Sequence, residues 1–395
     1  MEVKVRSGDT LWYYSQLFMV PLNLIIDSNP NLNSENIASY ETIRIPGFDT
    51  RILTIRDGDS LWKIAGARNI SVDSILLLNQ ELNPNNLKVG QQVIVPTRII
   101  LKSVSGNKKY DYAELEEDLK VLTKSFPFVE LSTIGKSVLG NNIYAIRLGK
   151  GAKKVHMNAS FHANEWITTP ILMTFLNDFL LSLTNSTNVR NVRTMPLYQS
   201  VNLSIVPMVN PDGVNLVLNG PPESNKEEVL SINNGSTDFT GWKANIRGVD
   251  LNNQFPAKWE IEKERKEPKA PAPRDYPGET PLSEPEAKVM ANLAENEKFD
   301  RMVALHTQGK EFYWGYEGSE PADSRALATE FSRVSGYEAV QYVDSHAGYK
   351  DWFIQEFRKP GFTLELGKGI NPLPLSQFNE IYKDVAGIFF ASLYM

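Results

Sequence analysis

The chain contains no cysteine, which excludes disulfides, thiolate metal ligands and a cysteine nucleophile. Histidine is nearly as scarce, with four in 395 residues: His156, His162, His306 and His346. Any metal must therefore be held by these and by Asp or Glu. There is no excess of positive charge; 41 Lys and Arg against 47 Asp and Glu leave a formal net charge of -6. That balance argues against a nucleic-acid partner, which a basic patch would normally announce. No apolar run reaches the ~18–20 residues of a membrane span, since TPILMTFLNDFLLSL is interrupted by Asn177 and Asp178. The opening MEVKVRSGDTLW lacks a basic segment followed by an apolar one, so no signal peptide is expected.

What is present is a repeat. Gly8-Asp9-Thr10-Leu11-Trp12 returns as Gly58-Asp59-Ser60-Leu61-Trp62, Asn29 as Asn79, Leu32-Asn33 as Leu82-Asn83, and Ile45-Pro46 as Val95-Pro96. The offset is 50 each time, so each copy is one supersecondary unit. ILTIR alternates as a strand, Asp59-Ser60 caps the helical pattern LWKIAGAR, and SVDSILLLN brings a second cap and a second apolar face. LKVGQQVIVP closes with a strand that its proline is expected to stop. The unit resembles the LysM carbohydrate-binding module over nearly all of residues 2 to 96. That resemblance implies binding to glycan containing N-acetylglucosamine, in a groove between the first strand–helix turn and the second helix–strand loop. Asp9, Thr10, Asp59 and Ser60 would lie beside it; each can equally be a plain helix cap. The first copy diverges near SENIASYETIRIP, where the second keeps Gly90.

The chain as a whole is 42% hydrophobic, which suits buried cores, and its remaining three hundred residues are enough for a further, larger domain. YDYAELEEDLKVLTKSFP reads as an amphipathic helix, VELSTIGKS and NIYAIRLGK as strands across a Gly-Asn turn, and KKVHMNAS as another strand. TTPILMTFLNDFLLSL is a buried helix, SVNLSIVPMVN a strand ending in the turn Asn210–Gly213, MVALHTQG and GFTLELG further strands, and QFNEIYKDVAGIFFASLY a closing helix. Strands alternating with helices predict an α/β fold, a mixed and largely parallel sheet sandwiched by helices. The proline-rich stretch 266–285 is expected to be a long surface loop of the kind that borders active sites or is mobile. The expected domains are 1–47, 51–97 and 103–395.

Within this domain ASFHANEW sets His162 three residues before Glu165, directly behind a strand. An HxxE pair alone is weak evidence, since most such pairs are polar turns. His306, at the end of the apolar strand of VALHTQG, stands where an α/β sheet presents functional side chains. His156, inside a strand, reads as structural; His346 is a candidate substrate contact. Glu365 alternates with Leu364 and Leu366, on a solvated face or aimed at a catalytic water.

HANE, NPDG, WKANIRGVDLN, ALHTQG, YKDW and FTLEL occur in this order with suitable gaps, and the set resembles the zinc carboxypeptidase superfamily, M14. The resemblance implies one zinc ion held by His162, Glu165 and His306, with Glu365 as general base. It also implies a cation near the metal for the oxyanion, either Lys243 or Arg247. Asn252 is kept, but Asn253 stands where the family has the arginine that clamps a terminal carboxylate. That loss suits a substrate continuing beyond the cut. Tyr342, with Tyr349 as fallback, would close over the substrate. Lys350 falls at the specificity position and would favour an acidic group, unless it is a solvated loop lysine.

With two LysM units in front, the chain is similar to peptidoglycan endopeptidases that cut stem peptides between D-glutamate and diaminopimelate or lysine. The alternatives are a zinc carboxypeptidase trimming the stem's C-terminal residues, a non-catalytic wall-binding protein, and an amidohydrolase of small acylated amino acids. The expected location is the cytoplasm, as in a sporulating cell, or the wall by a route the sequence does not display.

Overall fold

The computed structural model describes residues 1–34 and 37–395. The divergence of the first copy near SENIASYETIRIP thus falls partly on residues 35 and 36, which lie outside the described residues. The chain divides into two compact units, one of residues 1–103, 118–130 and 177–195, the other of 104–117, 131–176 and 196–395.

Each repeat is a strand, two short helices and a returning strand. The first comprises β1 (Glu2–Lys4), α1 (Leu11–Phe18), α2 (Leu22–Ser28) and β2 (Thr42–Arg44); the second comprises β3 (Phe48–Thr54), α3 (Leu61–Gly66), α4 (Val72–Leu78) and β4 (Gln92–Arg98). In both, the strands pair antiparallel. The repeated asparagines explain themselves. The Asn29 amide donates to Ile25 O (2.8 Å) and Arg44 O (2.9 Å) while its Oδ1 accepts from Arg44 N, and Asn79 makes the same three bonds with Ile75 and Ile94. Each asparagine therefore stitches the second helix to the last strand. Pro96 does not stop β4, as the sequence suggested; it pairs with Thr50 inside the strand. A two-stranded ribbon leaves an outer edge where a missing N–H costs no ladder bond.

The second unit is built on an eight-stranded mixed sheet. After α5 (Tyr112–Ser125) come β5 (Glu130–Lys136), β6 (Asn142–Leu148) and β7 (Lys153–Asn158), then α6 (Thr168–Asn185). A ribbon of β8 (Asn188–Val189) and β9 (Val192–Arg193) and helix α7 (Thr194–Ser200) lead to β10 (Val201–Val206), α8 (Pro211–Asn219), α9 (Lys226–Ile232), α10 (Trp259–Arg265) and α11 (Pro285–Glu297). The chain ends with β11 (Arg301–Thr307), β12 (Glu311–Tyr313), α12 (Asp323–Ser335), β13 (Glu338–Val340), α13 (Tyr349–Phe357), β14 (Gly361–Leu366) and α14 (Phe378–Tyr394). The sheet order is β13-β12-β14-β11-β7-β10-β6-β5.

Its central strands β14, β11, β7 and β10 run parallel. Strand β11 is buried along its whole length, as a parallel strand covered on both faces should be. By length and mean hydropathy (1.3) residues 163–185 would qualify as a membrane span, contrary to the reading of the sequence, but 94% of the qualifying window is buried inside the protein. Burial in a core asks for the same apolar residues as lipid does. NPDG is not a free turn either: it opens α8, with Asn210 as N-cap accepting from Gly213 N at 3.0 Å.

One buried carboxyl in this unit carries a stability consequence. Glu286, in the first turn of α11, accepts from Val138 N (3.1 Å) and from the Asn245 amide (3.3 Å). Burial, with Asp212 adding to it, pushes its carboxyl up from 4.5 to about 7. Between those values the folded state holds a proton that the unfolded chain has lost, so stability falls as pH rises through the window. Replacing Glu286→Gln should flatten the decline in stability between pH 4.5 and 7 by on the order of 3 kcal/mol. Melting of the parent and variant across pH 4 to 8 checks this; parallel curves would remove Glu286 as the cause.

Candidate active site

The site forms where the parallel strands end. After β7 the chain turns through Ser160, whose N–H donates to Thr168 Oγ1 (3.0 Å), and Thr168 in turn donates to Glu165 O (2.8 Å). The single turn Ala163–Glu165 is thereby locked against the start of α6. The other side is held by Asn210, whose amide donates to Phe161 O (3.2 Å) and Ala244 O (3.0 Å). Ala163 N donates to Lys243 O at 3.0 Å. Gly213 is required by this close approach: a Cβ there would lie 2.6 Å from the Asn210 amide and 2.8 Å from Ala163 Cβ.

His162, Glu165 and His306 converge. Nδ1 of His162 lies 3.0 Å from Glu165 Oε1, Nδ1 of His306 lies 3.0 Å from Glu165 Oε2, and the two Nδ1 atoms are 3.1 Å apart. All three residues are buried, and they are a set that could hold a metal ion. The donor chemistry fits zinc: two imidazole nitrogens and one carboxylate, the open three-ligand set of a catalytic site. The outer nitrogen of His162, Nε2, is engaged by Asp250 Oδ1 at 3.1 Å, which leaves Nδ1 to face the cradle. Asn371 donates to Glu165 Oε1 (3.4 Å) and accepts from Thr307 Oγ1 (2.7 Å), propping the carboxylate from the far side.

Glu365 stands on β14 directly beside His306 in the parallel register with β11. Burial, and then the charge of Glu165, push its carboxyl well above the usual carboxylate range. Burial alone would lower His162, but the carboxylates of Glu165 and Asp250 outweigh it and raise it. His306 is lowered, by burial first. Asp250, fully buried, would be raised by burial; Lys243 and His162 instead hold it well below its ordinary value.

The two candidate cations separate. Lys243 Nζ is 3.4 Å from Asp250 Oδ2 and 3.8 Å from Asp275, and its charge reaches Glu165 and Glu365. Arg247 is an outer residue with a 53% exposed side chain, 3.6 Å from Glu284. The proline-rich loop borders the site, as expected, but it is strapped in place rather than loose. Pro273 O accepts from Lys243 N (2.8 Å) and Ala244 N (3.0 Å), and Tyr276 O accepts from Asp250 N (2.8 Å).

Asn252 is spent on structure: its Oδ1 accepts from Tyr349 N at the start of α13 (3.0 Å). Asn253 is buried. Tyr349 is fully buried among Phe161, Phe255 and Trp352, so it is no mobile closing residue. Tyr342 is 53% exposed and donates to Glu320 (2.7 Å), its ring against Gly315. Lys350 reaches the same Gly315 from inside, donating to its carbonyl at 2.8 Å, and lies 2.7 Å from Asp351 Oδ1. It is buried in the first turn of α13, not a solvated loop lysine.

His346 meets Tyr316 OH at 3.1 Å. His156 is structural: it is fully buried, stacked on Phe299, and lowered by burial to about 3. In the repeats, Thr10 and Ser60 cap their helices by accepting from Tyr13 N (3.0 Å) and Lys63 N (3.2 Å). Asp9 and Thr10 also line a cavity of about 380 Å³ with Ser34, Ile37, Ala38 and Ser39. Asp59 Oδ2 accepts from Arg56 N at 2.8 Å.

The zinc carboxypeptidase family model matches residues 115–386, and the LysM domain model matches residues 3–46 and 53–96. The chain belongs to the zinc carboxypeptidase family, Peptidase M14, and carries two LysM domains. It is 55% identical over 397 residues, covering 100% of both chains, to gamma-D-glutamyl-L-diamino acid endopeptidase 1 of Lysinibacillus sphaericus. It is 48% identical over 297 residues to the uncharacterized protein YqgT of Bacillus subtilis, covering 74% of this chain and 79% of that one. Among solved structures, bovine thrombin-activatable fibrinolysis inhibitor superposes with a TM-score of 0.57 at 19% identity, covering 73% of this chain and 97% of that chain, a likeness of fold.

Asp250, Asn371 and the loop carbonyls were missed by sequence reasoning. Asp250 carried a signal, since it sits inside the GVDLN stretch; Asn371, far along the chain, carried none. If Asp250 sets the orientation of His162, Asp250→Asn should weaken zinc affinity by about 10- to 100-fold. Competition against a chromophoric chelator measures this, and an unchanged affinity would reduce Asp250 to a structural charge.

Proposed function

We propose that this metallopeptidase is a γ-D-glutamyl-L-diamino acid endopeptidase. It would cut peptidoglycan stem peptides between D-glutamate and diaminopimelate or lysine, while its LysM domains hold N-acetylglucosamine-containing glycan. The observation that carries the reading is the buried His162–Glu165–His306 cradle with Glu365 beside His306 on the adjoining strand. Identity across the full length to an endopeptidase of that name supports the choice of substrate.

One zinc ion, held by the three cradle residues, would supply the Lewis acidity that polarises the scissile amide carbonyl. Glu365 takes a proton from the attacking water and returns it to the leaving amine, as a base and then an acid. The pairing of β14 with β11 places it beside His306, and a high proton affinity suits the second role. Lys243 offers positive charge to the developing oxyanion; its ammonium already lies among the carboxylates that face the cradle. Arg247, turned outward, is left to the rim. Lys350, buried with one N–H donated to Gly315 O, would select an acidic group, and Tyr342 shares that wall. Asn252 positions α13, and Asn253 leaves no bidentate clamp for a free C-terminus.

Products from L-Ala-γ-D-Glu-diaminopimelate-D-Ala decide the matter by mass spectrometry. Zinc-loaded protein should release L-Ala-D-Glu, and Glu365→Gln should slow release by at least ~10²-fold. Release of D-Ala alone would replace this reading with a carboxypeptidase, and an intact peptide with a binding protein. Lys243→Ala should lower kcat by about 10²-fold or more while zinc content stays constant; a change confined to KM would move Lys243 from the oxyanion to substrate binding.

A further inference from the structure

The two repeats align at a constant offset of 50, yet the cluster around Arg6 is met by a carboxylate and, among the described residues, the equivalent one around Arg56 is not. In the first repeat, Arg6 makes a bidentate contact with Asp73 of the second, Nη1 to Oδ1 and Nη2 to Oδ2, both at 2.8 Å. Tyr13 OH donates to the same carboxylate, and Arg6 Nε donates to Asp9 Oδ2 at 2.9 Å. Thus the cluster of Arg6, Asp9 and Tyr13 receives a carboxylate presented by the next repeat.

Fifty residues on, the same positions are Arg56, Asp59 and Lys63. No third repeat follows, and among the described residues no carboxylate bridges to Arg56. Instead these residues line an open groove of about 640 Å³ with Ile52, Leu53, Thr54 and Arg68. At the positions equivalent to Tyr13 and the buried Phe18 the second repeat has Lys63 and Arg68, both lining the groove, so it is more basic than the cluster already meeting a carboxylate. Lys63 Nζ is bonded to Gly58 O (2.8 Å) and Arg68 Nη1 to Ile64 O (3.1 Å), which orients both cations and leaves them further N–H donors. In a chain of net charge -6, a groove with three cations and one carboxylate is a local reversal of sign.

We infer that the Arg56–Lys63–Arg68 groove is a carboxylate-binding site, and that its occupant is a free carboxylate of the peptidoglycan stem peptide. The choice of occupant rests on the wall-binding reading above; the site itself rests on the Arg6–Asp73 contact of the first repeat and the groove at the equivalent positions of the second. Arg56 presents the same planar fork that Arg6 uses on Asp73. The glycan groove and this one, adjoining at Asp59, would then read sugar and peptide side by side, directing the protein to strands that still bear stem peptides.

The test compares full-length protein carrying Glu365→Gln, so that the wall material survives, with the same protein also carrying Arg56→Gln and Lys63→Gln. Binding is measured to intact sacculi, to sacculi whose carboxyl groups have been amidated with carbodiimide and ammonia, and to chitin. The parent should bind intact sacculi about fivefold more tightly than amidated ones, a preference that shrinks with added salt. The double variant should lose that preference and bind chitin as the parent does. An undiminished preference in the variant, or an equal loss on chitin, would overturn the inference. Parent binding that ignores amidation would overturn it while leaving wall binding intact, and binding to none of the three would overturn both.

Discussion

Asp250 is a full negative charge taken out of water, and its neutralisation organises everything around the cradle. An isolated buried carboxylate is very unfavourable, so it must be paired and hydrogen-bonded. Here one oxygen accepts from Asn252 N and meets His162 Nε2, while the other faces Lys243. Its own N–H is taken by Tyr276 of the loop. A single residue therefore fixes which imidazole nitrogen faces inward, where the cation stands, and how the rim runs. Asn252, placed by it, in turn anchors the start of α13.

How much of this was legible follows from the kind of interaction involved. The sheet and its helices were readable because burial on one or both faces imposes periodicity. The cradle was readable because the motifs from HANE to FTLEL occur in the order of a known family, and that resemblance, more than the scarcity of histidine, singled out His162, Glu165 and His306. The repeat was readable because a constant offset needs no physics at all. What stayed hidden depended on distances between segments far apart in sequence. Lys243 and Arg247 are four residues apart and chemically similar, and only the turn about Asn245 sends one inward and the other out. Lys350 stayed open between a specificity residue and a solvated lysine because the sequence does not show that Gly315 O and Asp351 will meet it. Pro96 looked like a terminator because the sequence does not say that β3 and β4 form a sheet of only two strands.

The repeats show the same division. Asn29 and Asn79 do one structural job twice, and their spacing makes that job visible. Arg6 and Arg56 are equivalent by sequence but not by circumstance, because Asp73 of the other repeat meets the guanidinium of the first, and among the described residues no carboxylate meets that of the second. Identity at equivalent positions fixes the local fold, whereas vacancy is a property of where the array ends.

The loop over 266–284 is held beside the cradle chiefly by main-chain carbonyls, Pro273 O and Tyr276 O. Such bonds are indifferent to the side chains that the loop carries. Residues along the rim can therefore be exchanged while the path of the loop, and the geometry of the cradle beneath it, stay as they are. That separates the evolvability of selectivity from the chemistry: a lineage could retune what enters without rebuilding what cuts.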